Sequence, residues 1–204
     1  MLFPFREKAC VRPEQNRRRI EQSMEHILLC GRRRSGRSAM IRALLQGIEA
    51  PVFGYETRTM GTLPGGWHEI YLYPYGREGA EKTESSHAAD CNTRERVVHS
   101  EVFDGPGVQY LNAGDDGILV MDEIGFMESD ASVFCGTILD CLDGPLPVLA
   151  AVRTGIETPF LRQVRELPNV CSIEMDPARF DEIYRELRTI VQSWDSRLKK
   201  GERL

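Results

Sequence analysis

The chain has 204 residues and a mass of 23.2 kDa, with 41% hydrophobic residues, 28% charged residues and a formal net charge of −5. This length predicts one compact domain that can bury a sizeable core. No apolar run approaches the roughly 20 residues that a bilayer-spanning helix needs, and the composition excludes collagenous and wholly disordered classes.

Charge is distributed unevenly along the chain. Residues 1–42 carry a net charge of +7 and residues 43–204 carry −12. Residues 1–25 are predicted to be a basic, helical N-terminal extension, followed by one domain over residues 26–204. Four arginines of the basic segment, residues 1–42, fall in the glycine-rich loop described below, which accounts for their charge. We therefore do not expect nucleic acid to be the main partner. No protein partner can be named from the sequence.

The N-terminus and the cysteines indicate a cellular location. Charged residues at positions 6–8 interrupt the N-terminus, where a secretory signal needs an apolar stretch of about 7–15 residues. We therefore expect a cytoplasmic protein that does not insert into membranes. The six cysteines form no CxxC pair and have no matching histidine spacing. Reduced thiols are favoured over a zinc site or a disulfide framework.

Predicted strands and helices alternate along the domain. The predicted strands cover residues 26–30, 51–55, 67–73, 97–103, 117–121, 147–152 and 170–173. The predicted helices cover residues 38–45, 131–142, 159–167 and 179–198. Residues 76–94 are polar and lack periodicity, which predicts an exposed insertion. The order predicts an α/β fold with three layers: a mainly parallel sheet with helices on both faces, and ligands at the carboxyl ends of its strands.

A glycine-rich loop joins the first strand to the first helix. Residues 31–38 read G-R-R-R-S-G-R-S, which fits the G-x-x-x-x-G-K-[ST] spacing of a phosphate-binding P-loop with Arg37 in place of lysine. Glycines let the backbone wrap phosphates, and the helix N-terminus adds about half a positive charge. The predicted nucleotide-binding residues are Gly31, Arg32, Arg33, Arg34, Ser35, Gly36, Arg37, Ser38 and Ala39. Arg32 to Arg34 either touch phosphate or remain solvated.

A second motif follows the apolar strand at residues 118–121, where the chain continues with Asp122 and Glu123. A carboxylate at the end of such a strand can hold Mg²⁺, and the next carboxylate can orient and deprotonate an attacking water. We therefore predict Ser38 and Asp122 as metal ligands and Mg²⁺ as the cofactor. Glu123 and Arg37 are the predicted catalytic residues.

Residues 122–128, D-E-I-G-F-M-E, resemble the DEIGxME signature of the nucleoside-triphosphatase family first known from thermophiles. Phe134 and the P-V-L-A of residues 147–150 follow in matching order, and G-Y-E-T at residues 54–57 is similar to the family's G-F-x-T segment. The resemblance covers about residues 27–190. It implies a P-loop fold related to the RecA and AAA+ group, and slow, Mg²⁺-dependent hydrolysis of ATP, GTP and other nucleoside triphosphates.

The resemblance places Gly31, Gly36, Arg37 and Ser38 on the family's phosphate loop. It also places Asp122 and Glu123 on the family's metal-binding and catalytic carboxylates. This loop departs from the family pattern G-x-P-G-x-G-K-T, because Arg33, Arg34 and Arg37 replace proline, glycine and lysine. The hairpin at residues 58–68 is only loosely similar, and Ala178-Arg179 stands where the family has an Asn-Arg pair.

Three functions stay open at the level of the sequence. The first is a Mg²⁺-dependent nucleoside-triphosphatase that acts on ATP or GTP. The second is a nucleotide-binding module that does not hydrolyse its ligand, and the third is a small-molecule kinase with the segment 76–94 as a lid. Arg153 is either a γ-phosphate sensor or a surface charge, and Met127 and Glu128 are expected to pack. His68, His87 and His99 are spaced singly, which predicts no ligand set.

Overall fold

The computed structural model describes residues 26–79 and 81–201, so the predicted N-terminal helix lies outside the described residues. In this part of the chain, eight strands form one sheet in the order β5-β4-β3-β2-β6-β7-β1-β8. The strands are β1 His26–Gly31, β2 Val52–Leu63, β3 Trp67–Pro74, β4 His87–Cys91, β5 Arg96–Val98, β6 Ile118–Ile124, β7 Val148–Arg153 and β8 Val170–Glu174.

The sheet has a parallel part and an antiparallel part. Strands β2, β6, β7, β1 and β8 are mutually parallel, and they account for four of the seven strand pairings that the structure describes. Strands β3, β4 and β5 continue the sheet from β2 in antiparallel register. The predicted mainly parallel α/β fold is therefore confirmed, with an antiparallel extension on one side.

Helices cover both faces of the sheet, as the sequence predicts. Helix α1 spans Arg37–Leu45, α3 spans Ser132–Asp143, α4 spans Pro159–Glu166 and α5 spans Phe180–Leu198, while α2 is a continuous helical run through Ser100–Val102, Phe103–Gly107 and Val108–Leu111. Helices α1 and α5 pack on one face, and α2, α3 and α4 pack on the other. Alternation along β1 serves both faces, because Ile27 and Leu29 join one core cluster and Leu28 and Cys30 the other.

The structure differs from the prediction around residues 97–111, where one predicted strand is shorter and one helix was not predicted. The predicted strand at residues 97–103 is wrong in its second half, since strand β5 ends at Val98 and α2 begins at Ser100. Helix α2 has no helical signal in the sequence, because Pro106 and its flanking glycines are typical of a break. In the structure this stretch forms a π-helical turn whose Phe103 and Gly107 are buried.

The predicted insertion at residues 76–94 is only partly a loop. Residues 76–79 and 81–85 are exposed as expected, but residues 87–91 are strand β4, with Ala88 and Ala89 fully buried. Small residues in a polar context gave no strand pattern, although pairing with β3 and β5 makes this segment part of the sheet. Among the described residues, none of the helices is long and apolar enough to cross a membrane.

Candidate active site

Residues 31–38, the phosphate loop, connect the end of β1 to the start of α1 at the carboxyl edge of the parallel strands. Gly36 has a φ of 89°, a left-handed conformation that favours glycine. A Cβ atom on Gly31 would lie 2.3 Å from Ser35 Oγ, so only glycine fits the start of the loop. Arg32, Arg33 and Arg34 are exposed. The loop thus takes the tight path that a phosphate chain requires.

The two predicted metal ligands meet across the cleft. The Ser38 hydroxyl donates a hydrogen bond of 2.8 Å to Asp122 Oδ1, although the two residues are 84 positions apart. Asp122 is buried, and this burial raises the pKa of its carboxyl to about 6 against the opposing effect of the Ser38 hydrogen bond. A nearby cation would favour the charged form of this carboxylate. A hydroxyl and a carboxylate are oxygen donors that fit a hard cation such as Mg²⁺.

Glu123 is held between two arginines. Arg37 Nη2 lies 2.8 Å from Glu123 Oε2, and Arg153 Nη1 lies 3.0 Å from Glu123 Oε1. Arg37 is only 5% exposed, and its Nη1 atom has no hydrogen-bond partner among the described residues. The arginine at the lysine position therefore pairs with the candidate base and keeps one buried N–H group available to another acceptor. Arg153 is not an isolated surface charge.

Side chains from β2 and from the turn after β6 support the two carboxylates. Thr57 Oγ1 donates to the Asp122 carbonyl oxygen at 3.4 Å, and the Tyr55 hydroxyl donates to the Glu123 carbonyl oxygen at 3.3 Å. Glu128 is fully buried, and its Oε2 accepts the Gly125 N–H at 3.0 Å. Burial raises the pKa of Glu128 to about 8. Met127 is also buried, so both residues pack as expected.

These elements border one cleft of about 440 Å³. Of the predicted nucleotide-binding set, Gly31 and Arg32 do not line it, whereas the rest of the loop does. Sequence reasoning missed two basic residues of the cleft, Arg42 and Arg58. Arg42 could have been found, since it stands four residues after Ser38 on the same helix and therefore shares its face. Arg58 gave no such signal, because only the strand pairing of β2 brings it to the cleft.

Comparisons with known proteins agree with this geometry. The sequence model of a family described as NTPase matches residues 26–188. The chain belongs to this NTPase family. The crystal structure of THEP1 from the hyperthermophile Aquifex aeolicus is similar to this chain, with a TM-score of 0.63 and 17% sequence identity over 82% of this chain and 99% of that chain. A search of curated proteins gave no match.

Membership of the NTPase family, together with the fold shared with THEP1, assigns the chain to the class of nucleotide-binding P-loop NTPases. The predicted resemblance and fold are thereby confirmed. The roles of Arg37, Ser38, Asp122 and Glu123 stay predictions, which the geometry supports by placing all four within one cleft.

Proposed function

We propose that this NTPase-family chain binds a nucleoside triphosphate, ATP or GTP, in the cleft and hydrolyses its γ-phosphate with Mg²⁺ in the cytoplasm. The observation that carries the proposal is the hydrogen bond between Ser38 and Asp122. It brings the first turn of α1 to the end of β6, where the next residue is Glu123. In P-loop enzymes this juxtaposition of hydroxyl, metal-binding carboxylate and base serves phosphoryl transfer.

The phosphate loop supplies the groups that bind the triphosphate. The N-terminus of α1 and the loop N–H groups favour a polyanion. The buried Ser35 hydroxyl and Arg37 Nη1 have no partner among the described residues. Buried polar groups are usually hydrogen-bonded, and phosphate oxygens would satisfy both atoms. The cleft is also lined by Ile70, Phe126 and Met127, whose apolar surface would be available to the nucleoside.

Ser38 and Asp122 would hold the Mg²⁺ ion, which supplies charge neutralisation at the phosphate oxygens when bound. Glu123 then acts on a water molecule. The water oxygen bonds to the γ-phosphorus, the bond from this phosphorus to the bridging β-phosphate oxygen breaks, and the water proton passes to the Glu123 carboxylate. The products are a nucleoside diphosphate and inorganic phosphate.

Binding of the triphosphate would change the partners of Glu123. Both of its carboxylate oxygens contact arginines, so an attacking water has to compete with two guanidinium groups for hydrogen bonds to this carboxylate. Phosphate oxygens compete for the same guanidinium groups. Transfer of Arg37 or Arg153 from Glu123 to the triphosphate would release the base at the moment at which substrate is in place.

The same two ion pairs favour a second candidate, a nucleotide-binding module without hydrolysis. If Arg37 and Arg153 hold the Glu123 carboxylate away from the attacking water when nucleotide is bound, no base acts on the water and the ligand stays intact. The third candidate from the sequence, a small-molecule kinase, requires a phosphorylated acceptor as product. Phosphate release in the absence of an acceptor separates the first candidate from the other two.

The test is Mg²⁺-dependent phosphate release from ATP, GTP, CTP and UTP by the full chain, with nucleotide binding measured in parallel on fluorescent analogues. We expect Glu123→Gln to bind nucleotide and to release phosphate at least about tenfold more slowly. The control is Glu166→Gln, an exposed glutamate at the end of α4 that should keep full activity. Equal release by wild type and Glu123→Gln would contradict the proposed base. Binding without release would favour the non-hydrolysing module.

A further inference from the structure

The antiparallel part of the sheet gathers His87, Asp90 and His99 on one face. The pairs Ile70–Ala89 and Tyr71–His87 leave Ala88 as an extra residue in β4, a bulge that reverses the alternation of side chains. His87 and Asp90, three positions apart, therefore share a face of the sheet instead of pointing to opposite faces. His99 follows β5, and its N–H bonds to the Ala88 carbonyl oxygen, which brings its side chain beside them.

The potential ligand atoms of these three residues all lie within 4.8 Å of one another. His87 Nε2 is 3.1 Å from Asp90 Oδ1, and the rings of His87 and His99 have centroids 4.9 Å apart. Tyr71 stacks on the His87 ring with centroids 4.8 Å apart and restricts large rotations of this ring. Two ligand atoms on one tetrahedral ion lie about 3.4 Å apart. Small side-chain rotations would therefore bring all three donors onto one ion.

The surrounding charges leave this donor set available. The neighbouring carboxylate, Glu69, is paired with Lys82, whereas Asp90 contacts only His87 among the ion pairs of the described residues. Glu101 Oε1 lies 3.8 Å from His99 Nδ1 and is on a highly exposed side chain, so it can supply a fourth ligand. Two imidazoles with one or two carboxylates suit borderline divalent metals such as Zn²⁺, in contrast to the all-oxygen set of Ser38 and Asp122.

We propose that His87, Asp90 and His99 form a binding site for one divalent transition-metal ion of the Zn²⁺ class, separate from the nucleotide cleft. The site lies on the face of Tyr71 and Glu69, while the cleft residues His68 and Ile70 occupy the opposite face of β3. An ion there joins β4 to the segment after β5. Since β5 has three residues and, within residues 26–79 and 81–201, pairs with β4 alone, the ion stabilises the edge of the sheet.

The test uses the full chain, freed of any affinity tag and stripped of metal with a chelator. Zn²⁺ binding is measured by competition with a chromophoric chelator, and Co²⁺ serves as a spectroscopic probe of the ligands. We expect one equivalent of Zn²⁺ to bind and to raise the melting temperature. His87→Ala, His99→Ala and Asp90→Asn should each weaken binding at least about tenfold and abolish the rise in melting temperature.

The matched control is His68→Ala, which removes a partly exposed histidine from the other face of the same sheet and should bind Zn²⁺ like wild type. Circular dichroism of each variant verifies the fold. Asp90→Asn preserves the shape of the site and keeps the test valid if a histidine variant unfolds. The proposal is overturned if no Zn²⁺ binds at about 0.1 mM free ion. It is also overturned if the three variants bind normally, or if Co²⁺ shows thiolate charge-transfer bands that assign the metal to cysteines.

Discussion

The two sides of the nucleotide cleft differ in how well their polar groups are satisfied. On the phosphate-loop side, three arginines are exposed, and Ser35 Oγ and Arg37 Nη1 have no partner among the described residues. On the other side, residues 122–128 form what we call the carboxylate turn. The backbone carbonyls of Asp122 and Glu123 accept hydrogen bonds from β2, and the Gly125 N–H is bound by Glu128.

This difference separates the phosphate loop, which is proposed to bind the ligand, from the carboxylate turn, which holds Asp122 and Glu123 in position. Unsatisfied buried donors cost free energy until a ligand arrives, so the proposed binding of phosphate would stabilise the loop. The carboxylate turn has its three hydrogen bonds before a ligand arrives, although Glu128 Oε1 has no partner among the described residues. These bonds hold Asp122 and Glu123 in place beforehand. Substitutions that disturb the carboxylate turn should therefore reduce the stability of the fold. Substitutions in the phosphate loop should mainly reduce nucleotide affinity.

Gly54→Ala tests the support of the carboxylate turn and should have the largest effect. Gly54 has a φ of 121°, and a Cβ atom there would lie 2.0 Å from the Val120 carbonyl oxygen of β6. The backbone of the neighbouring strand cannot move away. Strain and overpacking together should therefore lower the free energy of unfolding by about 4 kcal/mol. Urea denaturation of both proteins measures the loss.

Gly136→Ala is the control for this substitution. Gly136 lies within helix α3, and a Cβ atom there meets nothing within 4 Å. Alanine favours helix, so we expect a gain of about 0.5–1 kcal/mol. If Gly54→Ala were as stable as wild type, β2 would not press against β6 as described, and the preorganisation of the carboxylate turn would need another source.

The sequence predicts the local motifs of the site better than the contacts between them. The phosphate loop and the carboxylate pair were predicted at the right strand ends, because glycine spacing and an apolar strand are local signals. The contacts of Glu123 with Arg37 and Arg153 were not predicted, since they depend on which strands become neighbours in the sheet. Strand β4, helix α2 and the cluster at His87 were missed for a related reason: a bulge and a π-helical turn leave no periodic pattern.

Glu128→Gln probes the charge buried within the carboxylate turn. The raised pKa, about 8 in the folded chain, means that the folded state binds a proton more tightly than the unfolded state, in which glutamate has its ordinary value. Folding stability from this group is therefore complete below the unfolded pKa and is lost as pH rises toward 8. Between pH 5 and pH 8 the wild type should lose on the order of 3 kcal/mol through this group.

Glutamine keeps an oxygen for the Gly125 N–H and carries no charge, so Glu128→Gln should remove most of that pH dependence. Chemical denaturation at pH 5, 6.5 and 8 measures the slope for both proteins. Glu166→Gln, at an exposed position, should retain the wild-type slope. Equal slopes for wild type and Glu128→Gln between pH 5 and pH 8 would show that Glu128 is not buried as a titrating carboxyl.

Arg37→Ala tests the phosphate loop and should have the smallest effect on stability. Glu123 keeps its ion pair with Arg153 when Arg37 is removed, so the carboxylate turn retains a counter-charge. The variant would lose the proposed charge-assisted hydrogen bond to phosphate, which predicts about tenfold weaker binding of a non-hydrolysable triphosphate.

Arg32→Ala is the matched control, because Arg32 is an exposed arginine of the same loop that does not line the cleft. Its affinity for the triphosphate should remain close to that of wild type. Equal losses in the two variants would mean that general positive charge attracts the ligand, and that Arg37 serves Glu123 instead of the triphosphate.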